Sequence, residues 1–315
     1  MPDTECLTID DATRSDIINL TRMALLEDIG DSNLETAMDC TTLSVVPDDV
    51  SASATFVSRE SGIVSGVALT KIVLTEFAPE IELTIHVDDG EPVNKLDPIA
   101  TMTGEARKIL MMERTCLNFM CRLSGIASLA AEFVNRVAGT NAQILDTRKT
   151  TPGWRRIEKH AVACGGGYNH RMGLYDAIMI KDNHVAMYGN HIDNHHLSVS
   201  QAVQMAKKWV QQNHQRLPHG EQTIVQIEVD TLDQLETALG ANPDIVLLDN
   251  MSIEQLEKAV KMRNDRKYKV LLEASGGVNL TTVAGIAQTG VERISIGALT
   301  HSAKNFDIGL DWILN

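Results

Sequence analysis

The sequence predicts an α/β protein of two domains, a small α+β layer followed by a parallel sheet with helices outside. Three observations predict it. From residue 143 onward, short apolar runs alternate with amphipathic segments of helical length. The architecture changes near residue 125, with alternating strand patterns before it. Polar and ionisable residues fall repeatedly at the C-terminal ends of the later apolar runs. At 315 residues and 43% hydrophobic content, the chain is large enough to bury a core in each domain.

In chain order, a helical period over Ile17–Ile29 leads into strand-like runs at 53–66 (SATFVSRESGIVSG) and 81–93 (IELTIHVDDGEPV). Residues 104–137 read as a long helix that carries Glu113-Arg114, with a possible break at Ser124-Gly125. Six strands follow in QILDT, AIMIKD, TIVQIEVD, DIVLLDN, KVLLEAS and RISIGAL. Stretches such as SVSQAVQMAKKWVQQ and TLDQLETAL supply the helices between them. Periodicity leaves open whether the sheet closes into a barrel. The domains are placed at 1–125 and 126–302, with a tail at about 303–315 expected on the first.

Charge narrows the function. With 42 acidic and 28 basic residues, the net charge of −14 has the wrong sign for a general nucleic-acid or anionic-membrane binder. Yet Asp146–His184 holds seven cations, Arg148, Lys149, Arg155, Arg156, Lys159, Arg171 and Lys181, against four acids. Such a local reversal points to a small anionic ligand, with surface ion pairs as the bland alternative. No apolar run is expected to span a membrane, and the acidic start MPDTECLTIDD is unlike a signal peptide, so a cytoplasmic protein is expected. Cys6, Cys40, Cys116, Cys121 and Cys164 are odd in number and lack a CxxC pair. Neither a disulfide framework nor a zinc site is indicated, and free thiols, buried or partly so, are the default.

The strand ends carry the chemistry. Asp146, Arg148 and Lys149, then Lys181 to His184, Glu228 and Asp230, Asp249 and Asn250, and Glu273 and Ser275 all end strand runs. In a β/α barrel those ends make one rim, where catalytic groups collect. Gly276, Gly277 and Gly297 follow the fifth and sixth runs, where late-strand glycine loops offer backbone N–H groups to a phosphate, helped by a following helix N-terminus. Two rim carboxylates, Glu228 and Asp249, beside anion sites suit a sugar bearing diphosphate with Mg²⁺.

DTRKTTPGWR, CGGGYNHRMGLYDAIMIKDNH, IEVD, LLDN, LEASGG and ISIGALTHS occur in this order, with DCTT, HVDDGEPV and ERTCLNFMCRLSGIAS before them. This series resembles the quinolinate phosphoribosyltransferase family over most of the chain. The resemblance implies an N-terminal α/β sandwich and a seven-stranded α/β barrel-like domain, one strand more than the periodicity shows. It also implies a homodimer with shared active sites, higher oligomers left open, and a Mg²⁺-dependent reaction of quinolinate with phosphoribosyl diphosphate that gives nicotinate mononucleotide, diphosphate and CO₂. On the same basis, Arg114, Arg148, His170, Arg171 and Lys181 would contact quinolinate. Lys149 and Lys181 would lie near the diphosphate. Glu228 and Asp249 would serve ribose hydroxyls and metal, and Ser275, Gly276, Gly277, Gly297 and His301 the 5′-phosphate.

Rival readings are a related phosphoribosyltransferase for another carboxylated ring, a non-catalytic metabolite-binding barrel, and an aldolase-type barrel with a Schiff base at Lys181. The first would alter the arginine set, and the second would lack Glu228, Asp249 or a phosphate glycine. The third would show imine trapping. Two departures from the family stand out: Trp154, where a smaller apolar residue is usual, and a histidine-rich stretch with His191, His195 and His196. The stretch reads as a solvated loop, since no acid or cysteine completes a convincing ligand set.

Overall fold

The computed structural model describes residues 9–191 and 198–313. In chain order the elements are α1 (Asp11–Ile29), α2 (Cys40–Val45), β1 (Ser51–Ser58), β2 (Gly62–Ile63), α3 (Val67–Phe77), β3 (Glu82–Ile85), β4 (Pro92–Val93), β5 (Pro98–Glu105) and α4 (Ala106–Arg136). Then come β6 (Gln143–Leu145), α5 (Arg155–Cys164), β7 (Ile178–Ile180), α6 (Asp182–His191), α7 (Val199–Asn213), β8 (Val225–Val229), α8 (Leu232–Gly240), β9 (Ile245–Asp249) and α9 (Ile253–Asp265). β10 (Leu271–Ser275), α10 (Val283–Gln288), β11 (Arg293–Ser295), α11 (Ala298–His301) and β12 (Ile308–Ile313) complete the chain. Two compact units result. One comprises Met1–Ala131, Lys149–Gly167 and Leu299–Asn315, the other Glu132–Arg148 and Tyr168–Ala298.

The first unit is built on an antiparallel sheet in the order β12-β1-β5-β3, and β2 pairs with β4 beside it. Alternation along β1 buries Ala54 and Phe56 completely, which fixes its register. Helix starts carry oxygen side chains that satisfy free backbone N–H groups: Asp10 accepts from Thr13 (2.7 Å) and Asp39, in DCTT, from Thr42 (2.9 Å).

α4 is continuous, so the expected break at Ser124-Gly125 is not there. A Cβ on Gly125 would lie 1.9 Å from the Lys304 carbonyl oxygen, so the glycine admits a crossing backbone and does not end the helix. α4 is also long and apolar enough to cross a bilayer, against the expectation that no run is. Its apolar face is occupied inside the protein, with Ile109, Met112, Cys116, Met120 and Leu123 fully buried. Trp154 stacks at a tilt on Phe119 of this helix, 5.0 Å between ring centroids.

The second unit is a parallel sheet in the order β6-β11-β10-β9-β8-β7. The six strands are the six apolar runs. Pairing of the first with the last is the order of a barrel, and the ladder is interrupted only between β6 and β7. At the free edge of β6, Tyr168 makes a single parallel bridge to Leu145. Thus the seventh strand expected from the resemblance is one residue of pairing. The glycines before it, including Gly166 at φ 81°, bend the chain away from an extended course.

Candidate functional site

The C-terminal strand ends of the second unit gather most of the residues marked by the sequence. Parallel register sets Glu228 and Glu273 level with Leu247, Arg293 level with Glu273, and Asp249 level with Ser275. Alternation then puts Glu228, Asp249, Glu273, Ser275 and Arg293 on one face. Short, capped turns hold the rim: Thr231 caps α8, and Ser252 closes a capping box with Gln255 at the start of α9. α8 and α9 therefore begin four residues after Glu228 and Asp249, respectively.

Lys181, one residue past β7, extends that register to Glu228, and its Nζ donates to Oε2 at 3.0 Å. Asp249 Oδ2 accepts from the Asn250 side-chain amide at 2.8 Å. Both carboxylates are partly exposed, and Lys181 more so.

His170 is held from three sides. Its backbone N–H donates to buried Asp146 (2.7 Å), and its Nδ1 accepts from the Arg171 backbone N–H (2.8 Å). That bond leaves the ring proton on Nε2, which faces Glu273 Oε1 at 3.2 Å. The other oxygen of Glu273 takes Arg293 Nε at 2.8 Å. Burial by itself would raise the Glu273 pKa, but His170 and Arg293 outweigh it and hold the carboxyl down at about 2.

Asp146, Glu273 and Arg293 thus orient the imidazole. The sequence marked the two acids only as strand-end polarity and missed the arginine. The available signal was an acid and a base at matching positions of neighbouring apolar strands, which no strand period ranks.

Arg171 donates Nη1 to the Ala177 carbonyl (2.7 Å), while its Nε is buried without a partner. Its pKa is lowered, first by burial and then by the positive charge of Arg148, with Asp176 acting against both. Two guanidinium groups are thereby held close enough to repel, an arrangement that an anion relieves.

Gly276 (φ 90°) and Gly277 (φ 62°) follow β10 in left-handed backbone. A Cβ on Gly276 would also lie 2.1 Å from the Asn250 side-chain oxygen, so no larger residue fits. The expected assisting helix does not start at this pair: α10 begins at Val283 and is six residues long, because Asn279 caps the intervening turn through Thr281 and Thr282. Gly297 directly precedes α11.

Three expected residues belong to the first unit. Arg114 is exposed on α4, Lys149 accepts at its carbonyl from Thr300 Oγ1 (2.7 Å), and His301 Nδ1 lies 2.6 Å from Ser302 Oγ. The seven-cation run is also divided. Arg156 pairs with Asp16 (3.1 Å) and Asp10 (3.9 Å), Arg155 donates to Thr150, and Lys159 is fully buried, all within the first unit. For Arg156 the ion-pair alternative is correct. His195 and His196 lie outside the described residues, and of His191 only its place at the end of α6 is described.

Residues 39–124 match the family model for the N-terminal domain of quinolinate phosphoribosyl transferase, and residues 126–311 that for its C-terminal domain. The chain is 41% identical over 303 residues to a nicotinate-nucleotide pyrophosphorylase [carboxylating] of Mycobacterium leprae, covering 96% of this chain and 97% of the relative. It is 38% identical over 306 residues to a quinolinate phosphoribosyltransferase [decarboxylating] of Nicotiana tabacum, covering 94% and 82%. The solved nicotinate-nucleotide pyrophosphorylase of Francisella tularensis superposes with a TM-score of 0.82 at 34% identity, covering 97% of this chain and 99% of that one. The chain belongs to the quinolinate phosphoribosyltransferase family.

Proposed function

We propose that this protein transfers the phosphoribosyl group of phosphoribosyl diphosphate to quinolinate, with loss of one carboxylate, giving nicotinate mononucleotide, diphosphate and CO₂ for NAD biosynthesis. The observation that carries the reading is the Arg148–Arg171 pair, two neighbouring guanidinium groups of which one keeps a buried, unpartnered Nε. A ring dicarboxylate supplies countercharge to this pair and an acceptor for the Arg171 Nε. Arg114, His170 and Lys181 complete the proposed quinolinate contacts. Ser275, Gly276, Gly277, Gly297 and His301 are assigned to the 5′-phosphate, and Lys149 to the diphosphate.

In this reading the quinolinate nitrogen attacks ribose C1 as the bond to diphosphate breaks, through an oxocarbenium-like state. Glu228 and Asp249 offset its positive charge, while Lys149 and Lys181 stabilise the departing anion. Once ribosylated, the ring is a pyridinium and stabilises the electron pair left when the adjacent carboxylate departs as CO₂, and a proton from solvent then takes the place of that carboxylate on the ring carbon. No protein nucleophile takes part. Glu228 and Asp249 are hard oxygen donors on neighbouring strands, and Lys181 and Asn250 engage one oxygen of each. The remaining oxygens suit Mg²⁺, directly or through water, whose contribution is to neutralise diphosphate.

The proposal includes a homodimer with shared sites, supported by the exposure of Arg114. It also includes a reducing, cytoplasmic setting, supported by the four described cysteines being free.

Incubation with quinolinate, phosphoribosyl diphosphate and Mg²⁺, followed by mass, tests the reaction directly. Nicotinate mononucleotide is expected, and nicotinic acid is expected to fail as a substitute because one carboxylate leaves part of the arginine set unpaired. Efficient turnover of nicotinic acid overturns the specificity.

A further inference from the structure

Away from the strand-end site, within the first unit, Asp89, His160 and Cys164 bring three different ligand types together, their donor atoms all within 4.8 Å of one another. His160 and Cys164 stand four residues apart on α5 and so share one face of the helix. Asp89 comes from the turn between β3 and β4, and its Oδ2 lies 3.1 Å from His160 Nε2. The His160 and Asp89 side chains are each 8% exposed and Cys164 is 7% exposed. The spacing in sequence hides the trio, because the aspartate lies far upstream of an ordinary helical pair.

We propose that Asp89, His160 and Cys164 form a binding site for a zinc ion. The donor set of sulfur, imidazole nitrogen and carboxylate oxygen is that of a borderline-soft divalent metal and not of Mg²⁺. Tetrahedral zinc with bonds of about 2.0–2.3 Å sets its donors roughly 3.3–3.6 Å apart. The 3.1 Å His160–Asp89 separation already falls near this range, and closure of the other distances from 4.8 Å or less needs only side-chain adjustment.

The surrounding bonds hold two of the ligands from behind. Asp89 Oδ1 accepts from the Val67 N–H at the start of α3 (2.8 Å), which leaves Oδ2 directed at the cluster. Ser65 Oγ donates to Cys164 Sγ at 3.4 Å. Such outer contacts orient metal ligands, and a water provides the fourth donor. A metal here would tie α5 to the β2–α3 and β3–β4 connections of the same unit.

The test is titration of the full chain, stripped by chelator, with Co²⁺ and then Zn²⁺. One Co²⁺ per chain is expected, with a near-ultraviolet sulfur-to-cobalt charge-transfer band and visible bands of four-coordinate strength, all lost on adding zinc. Cys164→Ser should abolish the charge-transfer band. Asp89→Asn keeps the oxygen that Val67 needs and should weaken zinc binding at least tenfold. A triple alanine variant of His191, His195 and His196 should leave both readouts unchanged, as should a large excess of Mg²⁺.

Absence of the band in the wild-type chain, or its persistence in Cys164→Ser, overturns the site and leaves only a hydrogen-bonded trio. If Cys164→Ser does not fold, unchanged zinc affinity in folded Asp89→Asn overturns it equally.

Discussion

Arg171 places a guanidinium in partly buried surroundings beside a second positive charge, so its neighbours favour an anion before any ligand arrives. Removal of one arginine from a desolvated carboxylate pair costs about 2–5 kcal/mol. Arg148→Ala and Arg171→Ala are therefore expected to weaken quinolinate binding by that amount, by calorimetry, with phosphoribosyl diphosphate binding largely kept. Unchanged quinolinate affinity in both variants contradicts the assignment. Glu273 acts one step behind, through His170. A depressed carboxyl adds stability above its unfolded pKa, ordinarily about 4.5, and loses it as pH falls through about 2. Glu273→Gln leaves Arg293 without its charge partner and should cost about 3–5 kcal/mol at neutral pH. Urea unfolding should show that deficit shrinking by about 2 kcal/mol between pH 7 and pH 3; a deficit independent of pH rejects the ion pair as its source. Arg148, Arg171 and Lys181 were legible because cations stand out in an acidic chain. Glu273 and Arg293 were not, because strand periodicity cannot separate a polar strand end from a buried pair.

Two glycines show how differently sequence and structure define an element. In a helix interior, alanine is favoured over glycine by about 1 kcal/mol. On propensity alone Gly125→Ala would stabilise α4, yet a methyl group there meets the Lys304 carbonyl at 1.9 Å. The expected outcome is a melting temperature several degrees lower, and a rise would show that the crossing backbone yields. Gly276→Ala combines a strained φ of 90° with collision against Asn250, which also neighbours Asp249. It should reduce phosphoribosyl diphosphate binding at least tenfold while leaving quinolinate binding close to wild type, measured by separate titrations. The six parallel strands were legible because each is a short apolar run between turn residues. Their barrel order was not, since the pairing of β6 with β11 joins the two ends of the run and leaves no local pattern. The glycine at 125 misled for the same reason: its cause lies in a segment remote in sequence.

At the scale of the whole molecule, neither unit is a single stretch of chain, and one division falls inside the DTRKTT motif, between Arg148 and Lys149. The residues proposed for quinolinate are likewise divided in the chain, Arg114 on α4 belonging to the first unit and Arg148, His170, Arg171 and Lys181 to the second. If the dimer shares its sites, Arg114 serves the strand ends of the partner while Lys149 serves its own chain. Arg114→Ala and Lys149→Ala homodimers should then each be nearly inactive, since every site in either lacks one cation. Subunit exchange between them creates heterodimers in which one site carries both substitutions and the other carries neither. A statistical mixture makes about half of all dimers hetero, and with one intact site of two in each, roughly a quarter of wild-type activity should return. The measurement is turnover before and after exchange, with exchange confirmed by native mass. Recovery near that fraction assigns Arg114 to the partner's site, and no recovery after complete exchange assigns it to its own chain and removes the shared-site dimer.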